Sequence, residues 1–274
     1  MNQSLKSYFL LAKSNLDKQE YISRDFGYFL KSLEISDAII AIEDDFDLSI
    51  EQISKIDLFF SSYLDGVPLE YILGESSFFG YKFYVDSRVL IPRPETELIV
   101  EWVLDLSLQK NSSIAEVGTG SGCIALSIAL QKTNFKIMAT DLSDLALEVA
   151  YINKKYHDVK NLLLVQSDWM SCVQENSLDL IISNPPYLKP NDSHLKNLRH
   201  EPLMALTSKN GSQSFYGIAS QAILSLKSGG KIIFEHGCSQ TREVSSILEN
   251  FGFKNVITEQ DFQGLDRYTH GEKL

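Results

Sequence analysis

The pattern of hydrophobic and polar positions divides the chain into parts with different periodicities. In residues 1–75 apolar side chains recur at helical spacing, most clearly after Ser49. Ser49 and Gln52 have the spacing of a capping box, which predicts the start of this helix, and Gly66 is typical of a residue that ends one. We expect further helices over 5–16, 24–33 and 36–42. Residues 1–75 therefore predict a small helical domain.

The following stretch has a composition typical of strands. Aromatic and β-branched residues are concentrated over 76–92, with Gly80 among them, which favours a β-hairpin or an extended connector. Pro94 suits the first position of a helix, and residues 97–108 are amphipathic. We interpret 76–95 as a β-hairpin linker between the helical domain and the rest of the chain.

From residue 112 onward, short apolar runs alternate with helical segments. The predicted strands are 114–117, 136–140, 162–165, 178–183 and 231–234. The predicted helices are 121–132, 143–156, 214–227 and 239–250. This alternation is typical of an α/β fold, in which helices cover both faces of a parallel sheet. Two last runs, 256–258 and 267–270, are expected to close the sheet as antiparallel strands.

Composition excludes several broad classes of protein. The 274 residues are 44% hydrophobic and 22% charged, as in ordinary globular chains. No apolar run approaches the roughly 18 residues of a membrane-spanning helix, and the N-terminus is a poor signal peptide, so we expect no membrane association. The three cysteines are far apart and have no metal-ligand spacing. They predict neither a disulfide framework nor a metal site, and a reducing cytoplasm is the expected compartment.

The charge is acidic and unevenly distributed. The net charge is −11, and residues 1–75 hold six basic and fourteen acidic side chains. Such a chain is repelled by phosphate backbones unless it has a local basic groove, so we expect no direct binding of nucleic acid. The excess of acid in 1–75 fits either solvated helix faces or an acidic docking surface for a basic partner. The sequence leaves both interpretations open.

A glycine-rich turn follows the first predicted strand of the α/β region. A dinucleotide-binding turn requires its third glycine at position 123, where this chain has Cys123, whereas here the third glycine is Gly122. The observed pattern, Glu-x-Gly-x-Gly-x-Gly from Glu116, is better matched to S-adenosylmethionine, which has no pyrophosphate. The candidate cofactor-binding residues are Gly118, Thr119, Gly120, Ser121 and Gly122.

Suitable polar groups also end the second and third predicted strands. Asp141 lies 23 residues after Gly118, where a carboxylate can accept hydrogen bonds from both ribose hydroxyls; the alternative is that it only caps the next helix. Asp168 can accept a hydrogen bond from the adenine amine, and Trp169 can offer a ring face or belong to the core. We assign Asp141, Asp168 and Trp169 to cofactor binding because three successive strand ends hold suitable groups.

The fourth predicted strand leads into Asn184-Pro185-Pro186-Tyr187. Two prolines remove two backbone donors, so the exposed groups are mainly acceptors: the Asn184 side-chain oxygen and the Pro185 carbonyl. Two such acceptors can hold both hydrogens of a planar NH2 group, and Tyr187 can stack against it. As a bare tetrapeptide the segment could equally be a rigid turn.

Together these motifs resemble methyltransferases that methylate planar NH2 groups on adenine, cytosine or glutamine. The closer resemblance is to the PrmC/HemK family of release factor glutamine methyltransferases, and it covers nearly the whole chain. Further matching segments are Pro68–Glu75, Leu90–Glu97, Glu201–Leu206 and Phe234–Gly237. The stretch Arg93–Glu97 is the most specific, because the nucleic-acid methyltransferases with Asn-Pro-Pro-Tyr lack it. Position 116 departs from the family, which more often has Asp there.

The resemblance implies a fold, a substrate and a set of site residues. Residues 96–274 would form a Rossmann-like class I S-adenosylmethionine-dependent methyltransferase domain, and 1–75 a substrate-recognition domain. The substrate would be the glutamine of the Gly-Gly-Gln loop in peptide chain release factors, methylated on its side-chain nitrogen. Asn184, Pro185 and Tyr187 would be catalytic, Asn184 would also contact the cofactor, and Pro186 would join these three residues in binding the substrate.

Two other classes of function remain open from the sequence. A methyltransferase acting on a nucleic-acid base amine would need a basic groove, against which the net charge argues. A binding protein that kept the fold without catalysis would not need the intact segments at 118–122 and 184–187.

Overall fold

The computed structural model describes residues 4–17, 20–43 and 46–274. The chain forms two compact units, Met1–Gly74 and Glu75–Leu274. Within the described residues, no helix is both long enough and apolar enough to cross a membrane.

The first unit is helical. Its helices are α1 (Leu5–Ser14), α2 (Ile22–Ser32), α3 (Asp37–Ile42), α4 (Ile50–Leu64) and α5 (Leu69–Leu73). The predicted capping box is confirmed: the Gln52 backbone N–H donates to Ser49 Oγ at 3.1 Å, and the Ser49 N–H donates to Gln52 Oε1 at 2.9 Å. Together these bonds pair two backbone donors at the start of α4.

Aromatic side chains form much of the helical unit's core. Phe26 packs against both Phe59 and Phe60, with ring centroids 5.4 and 5.0 Å apart. The one carboxyl buried there, among the described residues, is that of Asp25, which accepts a hydrogen bond from the Tyr63 hydroxyl at 2.6 Å. Within α4 the buried residues Ile56, Phe60 and Tyr63 recur every three or four residues, which is the periodicity that predicted this helix.

The second unit contains two sheets, six α-helices and two short 3-10 helices, Ser193–Leu198 and Lys209–Gly211. Its strands are β1 (Ser76–Phe78), β2 (Tyr81–Phe83), β3 (Ser113–Val117), β4 (Lys136–Asp141), β5 (Leu162–Gln166), β6 (Leu178–Ser183), β7 (Leu226–Glu235), β8 (Lys254–Gln260) and β9 (Asp266–Glu272). Its helices are α6 (Glu97–Asp105), α7 (Cys123–Gln131), α8 (Asp144–Tyr156), α9 (Leu203–Leu206), α10 (Gln213–Ser225) and α11 (Thr241–Asn250).

The larger sheet has seven strands in the order β5-β4-β3-β6-β7-β9-β8. The first five pair in parallel, and β9 pairs antiparallel with both β7 and β8. The predicted α/β class and the antiparallel closing strands are therefore confirmed. The order reverses at β3, which has β4 on one side and β6 on the other, and such a switch point opens a crevice at the carboxyl ends of the strands.

Alternate residues of the central strands pack into two cores. Ile114 of β3 contributes to the core with α6 and α7, whereas its neighbour Ala115 contributes to the core with α10 and α11. This arrangement explains why the strands have continuous apolar sequences.

The segment between the helical region and the large sheet differs in one detail from the sequence prediction. Strands β1 and β2 form an antiparallel hairpin, with Phe79 and Gly80 at positive φ in its turn. Pro94, predicted to begin a helix, instead lies in a turn, and α6 begins at Glu97. The backbone N–H groups of Thr96 and Glu97 donate across three residues, to Arg93 and Pro94, so this turn is tighter than an α-helix.

Candidate active site

The glycine-rich turn after β3 is held by backbone hydrogen bonds to β4. The N–H groups of Gly118 and Thr119 both donate to the Thr140 carbonyl at 2.9 Å. Gly118, Gly120 and Gly122 have φ values of 75°, 54° and 82°, in the region that disfavours residues with a Cβ. No atom lies within 4 Å of where a Cβ on Gly118 or Gly120 would be, so the turn leaves open space beside its backbone.

Glu116 supports this turn from inside the protein. Its Oε2 accepts hydrogen bonds from Thr119 Oγ1 at 2.6 Å and from the Ala125 N–H at 3.1 Å. Burial raises the pKa of Glu116 to about 8, although these two hydrogen bonds oppose the rise. From the sequence, position 116 was notable only because the family that the chain resembles more often has Asp there. The structure shows a buried carboxyl that joins β3, the turn and α7.

Asp141 ends β4 and borders the same space. Its Oδ2 accepts from the Gly120 N–H and its Oδ1 from the Ser143 N–H, both at 2.9 Å. The N-cap of α8 is Ser143, whose hydroxyl accepts from the Ala146 N–H, so capping is not the role of Asp141. Each carboxylate oxygen can accept a further hydrogen bond, which leaves capacity for two hydroxyl donors.

Asp168 and Trp169 follow β5 and also border this space. Trp169 has a positive φ of 51° and packs partly on the core with α10. A Cβ on Gly217 would lie 2.7 Å from the indole Nε1, so the glycine in α10 gives the ring its room. Trp169 therefore combines the two interpretations that the sequence left open, since one part of the ring packs on the core and another borders the cavity.

The Asn184–Tyr187 segment follows β6, the parallel neighbour of the strand that precedes the glycine turn. The Asn184 Nδ2 donates to Thr96 Oγ1 at 3.3 Å, and Thr96 Oγ1 donates to Glu235 Oε2 at 2.7 Å. The Tyr187 carbonyl accepts from Gln240 Nε2 at 3.3 Å. Burial raises the pKa of Tyr187 to about 12, so its hydroxyl stays neutral at physiological pH.

Two cavities meet at this segment. The first has the glycine turn on one wall and is bordered by the predicted residues Gly118, Thr119, Gly120, Ser121, Asp141, Asp168, Trp169, Asn184 and Pro186. The second is bordered by Asn184, Pro185 and Tyr187. Asn184 thus lies on both cavities, on the wall between them.

One predicted residue does not border either cavity. Gly122 is the N-cap of α7, and a Cβ there would meet Leu126 Cδ1 at 3.0 Å and Ala150 Cβ at 3.3 Å. It allows α7 and α8 to approach closely. Glycine is required at position 122 because α7 and α8 pack closely there, and not because a ligand approaches it.

An ion pair between the half-buried Arg93 and the buried Glu201, not identified from the sequence, joins two loops beside the cavities. Glu201 is 5% exposed; its Oε2 accepts from the Ile91 N–H at 3.1 Å and its Oε1 from Arg93 Nη2 at 2.5 Å. Arg93 borders both cavities. The two residues are 108 positions apart, and only their separate family-like segments pointed to them.

The fold and the site define a class I S-adenosylmethionine-dependent methyltransferase. Residues 95–206 match the model of the Methyltransferase small domain family. A methyltransferase of known structure from Pyrococcus furiosus has the same fold, with a TM-score of 0.54 and 17% identity over 81% of this chain and 98% of that one.

Two curated relatives give the family. The release factor glutamine methyltransferase of Coxiella burnetii is 36% identical over 80% of this chain and 80% of its own. That of Flavobacterium psychrophilum is 33% identical over 97% of this chain and 96% of its own. The chain belongs to the release factor glutamine methyltransferase family.

S-adenosylmethionine is the methyl donor of this class, and the first cavity fits it. The open space beside Gly118 and Gly120 admits a ligand close to the backbone. Asp141 keeps acceptor capacity for two hydroxyl donors, and Trp169 borders the cavity with an aromatic ring. Acceptors, an aromatic group and close backbone approach are what an adenosyl group requires.

Proposed function

We propose that this protein transfers a methyl group from S-adenosylmethionine to the side-chain amide nitrogen of the glutamine in the Gly-Gly-Gln loop of peptide chain release factors. The observation that carries the proposal is the position of Asn184 between two cavities, in a chain of this family. The cofactor occupies the cavity of the glycine turn, and the glutamine reaches Asn184 through the second one.

The acceptor geometry accounts for the choice of a planar NH2 group. Asn184 donates through Nδ2 to Thr96, so its Oδ1 is available to the substrate. The Pro185 carbonyl supplies a second acceptor, and neither proline of the segment has an N–H that would repel the substrate's donors. Two acceptors with no competing donor select an amide NH2 and orient its nitrogen.

Positioning is the main contribution of the protein to the reaction. An amide nitrogen is a poor nucleophile, because its lone pair is delocalised over the carbonyl. The bound cofactor supplies a methyl group that is already activated on a sulfonium. Holding two reactants in a near-attack arrangement supplies about 7–11 kcal/mol in favourable cases. Asn184, Pro185 and Tyr187 provide that arrangement for the glutamine side chain.

We assign recognition of the release factor to the helical unit. Residues 1–74 have a net charge of −7, from six basic and thirteen acidic side chains, while the predicted catalytic and cofactor residues all lie in the second unit. Deletion of residues 1–74 is expected to leave cofactor binding unchanged and to raise the KM for intact release factor at least tenfold. Wild-type kinetics of the shortened chain on the intact substrate would exclude this role.

The decisive experiment compares substrates. Labelled S-adenosylmethionine is incubated with the protein and either a release factor or double-stranded DNA. We expect label on the glutamine of the release factor and none on DNA. Transfer to DNA with none to the release factor would replace the proposal with a base-amine methyltransferase, and no transfer to either would favour a binding protein.

Asn184→Ala tests the mechanism within the same assay. The substitution removes the acceptor and adds no bulk, so cofactor affinity should remain while kcat falls about a hundredfold or more through misalignment. A thermal melt distinguishes this from a role in shaping the turn, which would lower stability and activity together. Near-normal turnover at the wild-type melting temperature would show that Asn184 does not orient the substrate.

A further inference from the structure

A buried chain of polar side chains lies behind Asn184. Thr96, in the turn before α6, donates its hydroxyl to Glu235 Oε2 at 2.7 Å and accepts from Asn184 Nδ2 at 3.3 Å. Thr96 and Glu235 are each 3% exposed, and Glu235 is the last residue of β7. The three residues come from distant parts of the sequence and converge only in the folded protein.

The direction of these hydrogen bonds is set by the carboxylate. In its ionised form Glu235 can only accept, so the Thr96 hydroxyl then donates its single hydrogen to Glu235, which is the direction seen in the structure. The Thr96 oxygen is then left as an acceptor, which only the NH2 end of the Asn184 amide can satisfy. This contact holds the NH2 end inward, and the carbonyl end is left for the cavity.

We propose that Thr96 and Glu235 are positioning residues that fix the Asn184 side chain with its oxygen towards the substrate amide. The inference rests on the proposed function. An amide that rotated by half a turn would present N–H groups to the N–H groups of the glutamine, which would prevent productive binding. The two residues act through Asn184 and need no contact with the glutamine.

The energetics of Glu235 argue that it has more than a structural role. A buried carboxylate is costly unless a cation pairs with it, and the neighbouring Arg267 is engaged by Asp261, at 3.1 Å from both Nε and Nη2. Burial raises the pKa of Glu235 to about 7, against the effects of Thr96, Arg267 and Asn184. An apolar side chain of similar size would fill this place at lower cost but could not orient Asn184.

A matched pair of substitutions at Thr96 tests the proposal. Thr96→Val keeps the shape of the side chain and removes the hydroxyl, whereas Thr96→Ser keeps the hydroxyl and removes a methyl group. We expect the valine variant to lose about tenfold or more in kcat on the release factor, since removal of the hydroxyl leaves the polar groups of Asn184 and the buried Glu235 without this partner. The serine variant should stay within about threefold of wild type.

Cofactor affinity is measured beside turnover, because Thr96 also borders the first cavity. Calorimetric Kd values for S-adenosylmethionine within about twofold of wild type are expected for both variants, so the loss lies in kcat. Valine and serine variants with equal kcat would overturn the proposal, as would a valine variant that loses affinity and activity in parallel.

Glu235→Gln provides an independent measurement should the valine variant fold poorly. Glutamine keeps the size of the side chain, but its amide can donate as well as accept. The direction of the hydrogen bonds through Thr96 to Asn184 is then no longer imposed. We expect a lower kcat at unchanged cofactor affinity, and a wild-type kcat would refute the role of the carboxylate. Failure of the wild-type protein to methylate the release factor would instead refute the proposed function.

Discussion

A comparison of Gly118→Ala with Gly264→Ala tests whether Gly118 is needed only for its backbone conformation or also for cofactor binding. Gly118 has a φ of 75° and Gly264 a φ of 76°, and a Cβ at either position would have no atom within 4 Å. Gly118 borders the first cavity, whereas Gly264 lies in the turn between β8 and β9, outside both cavities. The two substitutions therefore share their strain and differ in location.

The shared strain can be estimated from the backbone alone. Alanine in the left-handed region costs about 1–2 kcal/mol, because its Cβ approaches the neighbouring carbonyl oxygen. In a unit of this size each kcal/mol corresponds to about 2–4 °C in Tm. Both variants should therefore melt about 2–8 °C below wild type without ligand.

Cofactor affinity should distinguish the two variants. At Gly118 the added methyl group occupies space beside the turn that the cofactor requires, so we expect its Kd for S-adenosylmethionine to rise about tenfold or more, the effect of 1.4 kcal/mol. Gly264→Ala should bind as wild type does. Isothermal titration calorimetry measures both. Equal affinities at equal losses in Tm would show that Gly118 serves only the backbone and that the cofactor binds elsewhere.

Three further predictions concern the same cavity. Asp141→Ala should weaken S-adenosylmethionine binding about tenfold or more in calorimetry, since buried polar contacts are typically worth about 1–3 kcal/mol, and unchanged affinity would remove Asp141 from the site. Gly217→Ala should displace the indole of Trp169 and alter its fluorescence and the cofactor Kd; a wild-type spectrum and Kd would contradict the close packing seen between them. In Glu116→Gln the stability of the folded protein should fall less with rising pH than it does in wild type. The raised pKa of Glu116, about 8, means that the native state keeps a proton which the unfolded chain loses above its ordinary value of 4.5. The Tm of the variant relative to wild type should therefore rise between pH 5 and pH 8 in cofactor-free melts, and a constant difference would contradict burial of this carboxyl.

Local sequence signals were sufficient for most elements of the fold. The predicted strand at 178–183 is β6, and the predicted helix at 143–156 differs from α8 by a single residue at its start. β7 was predicted to begin at Lys231 but extends back to Leu226, because Gly229 and Gly230 interrupt the apolar pattern. The structure accommodates these glycines at an irregularity in the pairing with β6. Sequence periodicity cannot reveal such an irregularity, since it depends on the neighbouring strand.

The candidate site was predictable where a motif follows its own strand, and not where distant residues combine. Asp141 ends β4, and Gly118 and Asn184 directly follow β3 and β6, so the local pattern placed all three at one edge of the sheet. The contact between Asn184 and Thr96 joins residues 88 positions apart. No spacing rule predicts such a pair, and it depends on the turn before α6 reaching the carboxyl end of β6.

The two buried carboxyls of the site, Glu116 and Glu235, have the same kind of hydrogen-bond partner. Glu116 accepts from Thr119 at 2.6 Å and Glu235 from Thr96 at 2.7 Å, so each fixes the hydrogen of a threonine hydroxyl that borders the first cavity. Burial raises the pKa of both carboxyls, to about 8 and about 7, which shows that their ionised forms are destabilised in the free protein. A cationic ligand in the cavity lowers that penalty by Coulomb attraction. Binding of S-adenosylmethionine should therefore favour the ionised carboxylates, and with them the hydrogen-bond directions that hold the turn and Asn184 in place.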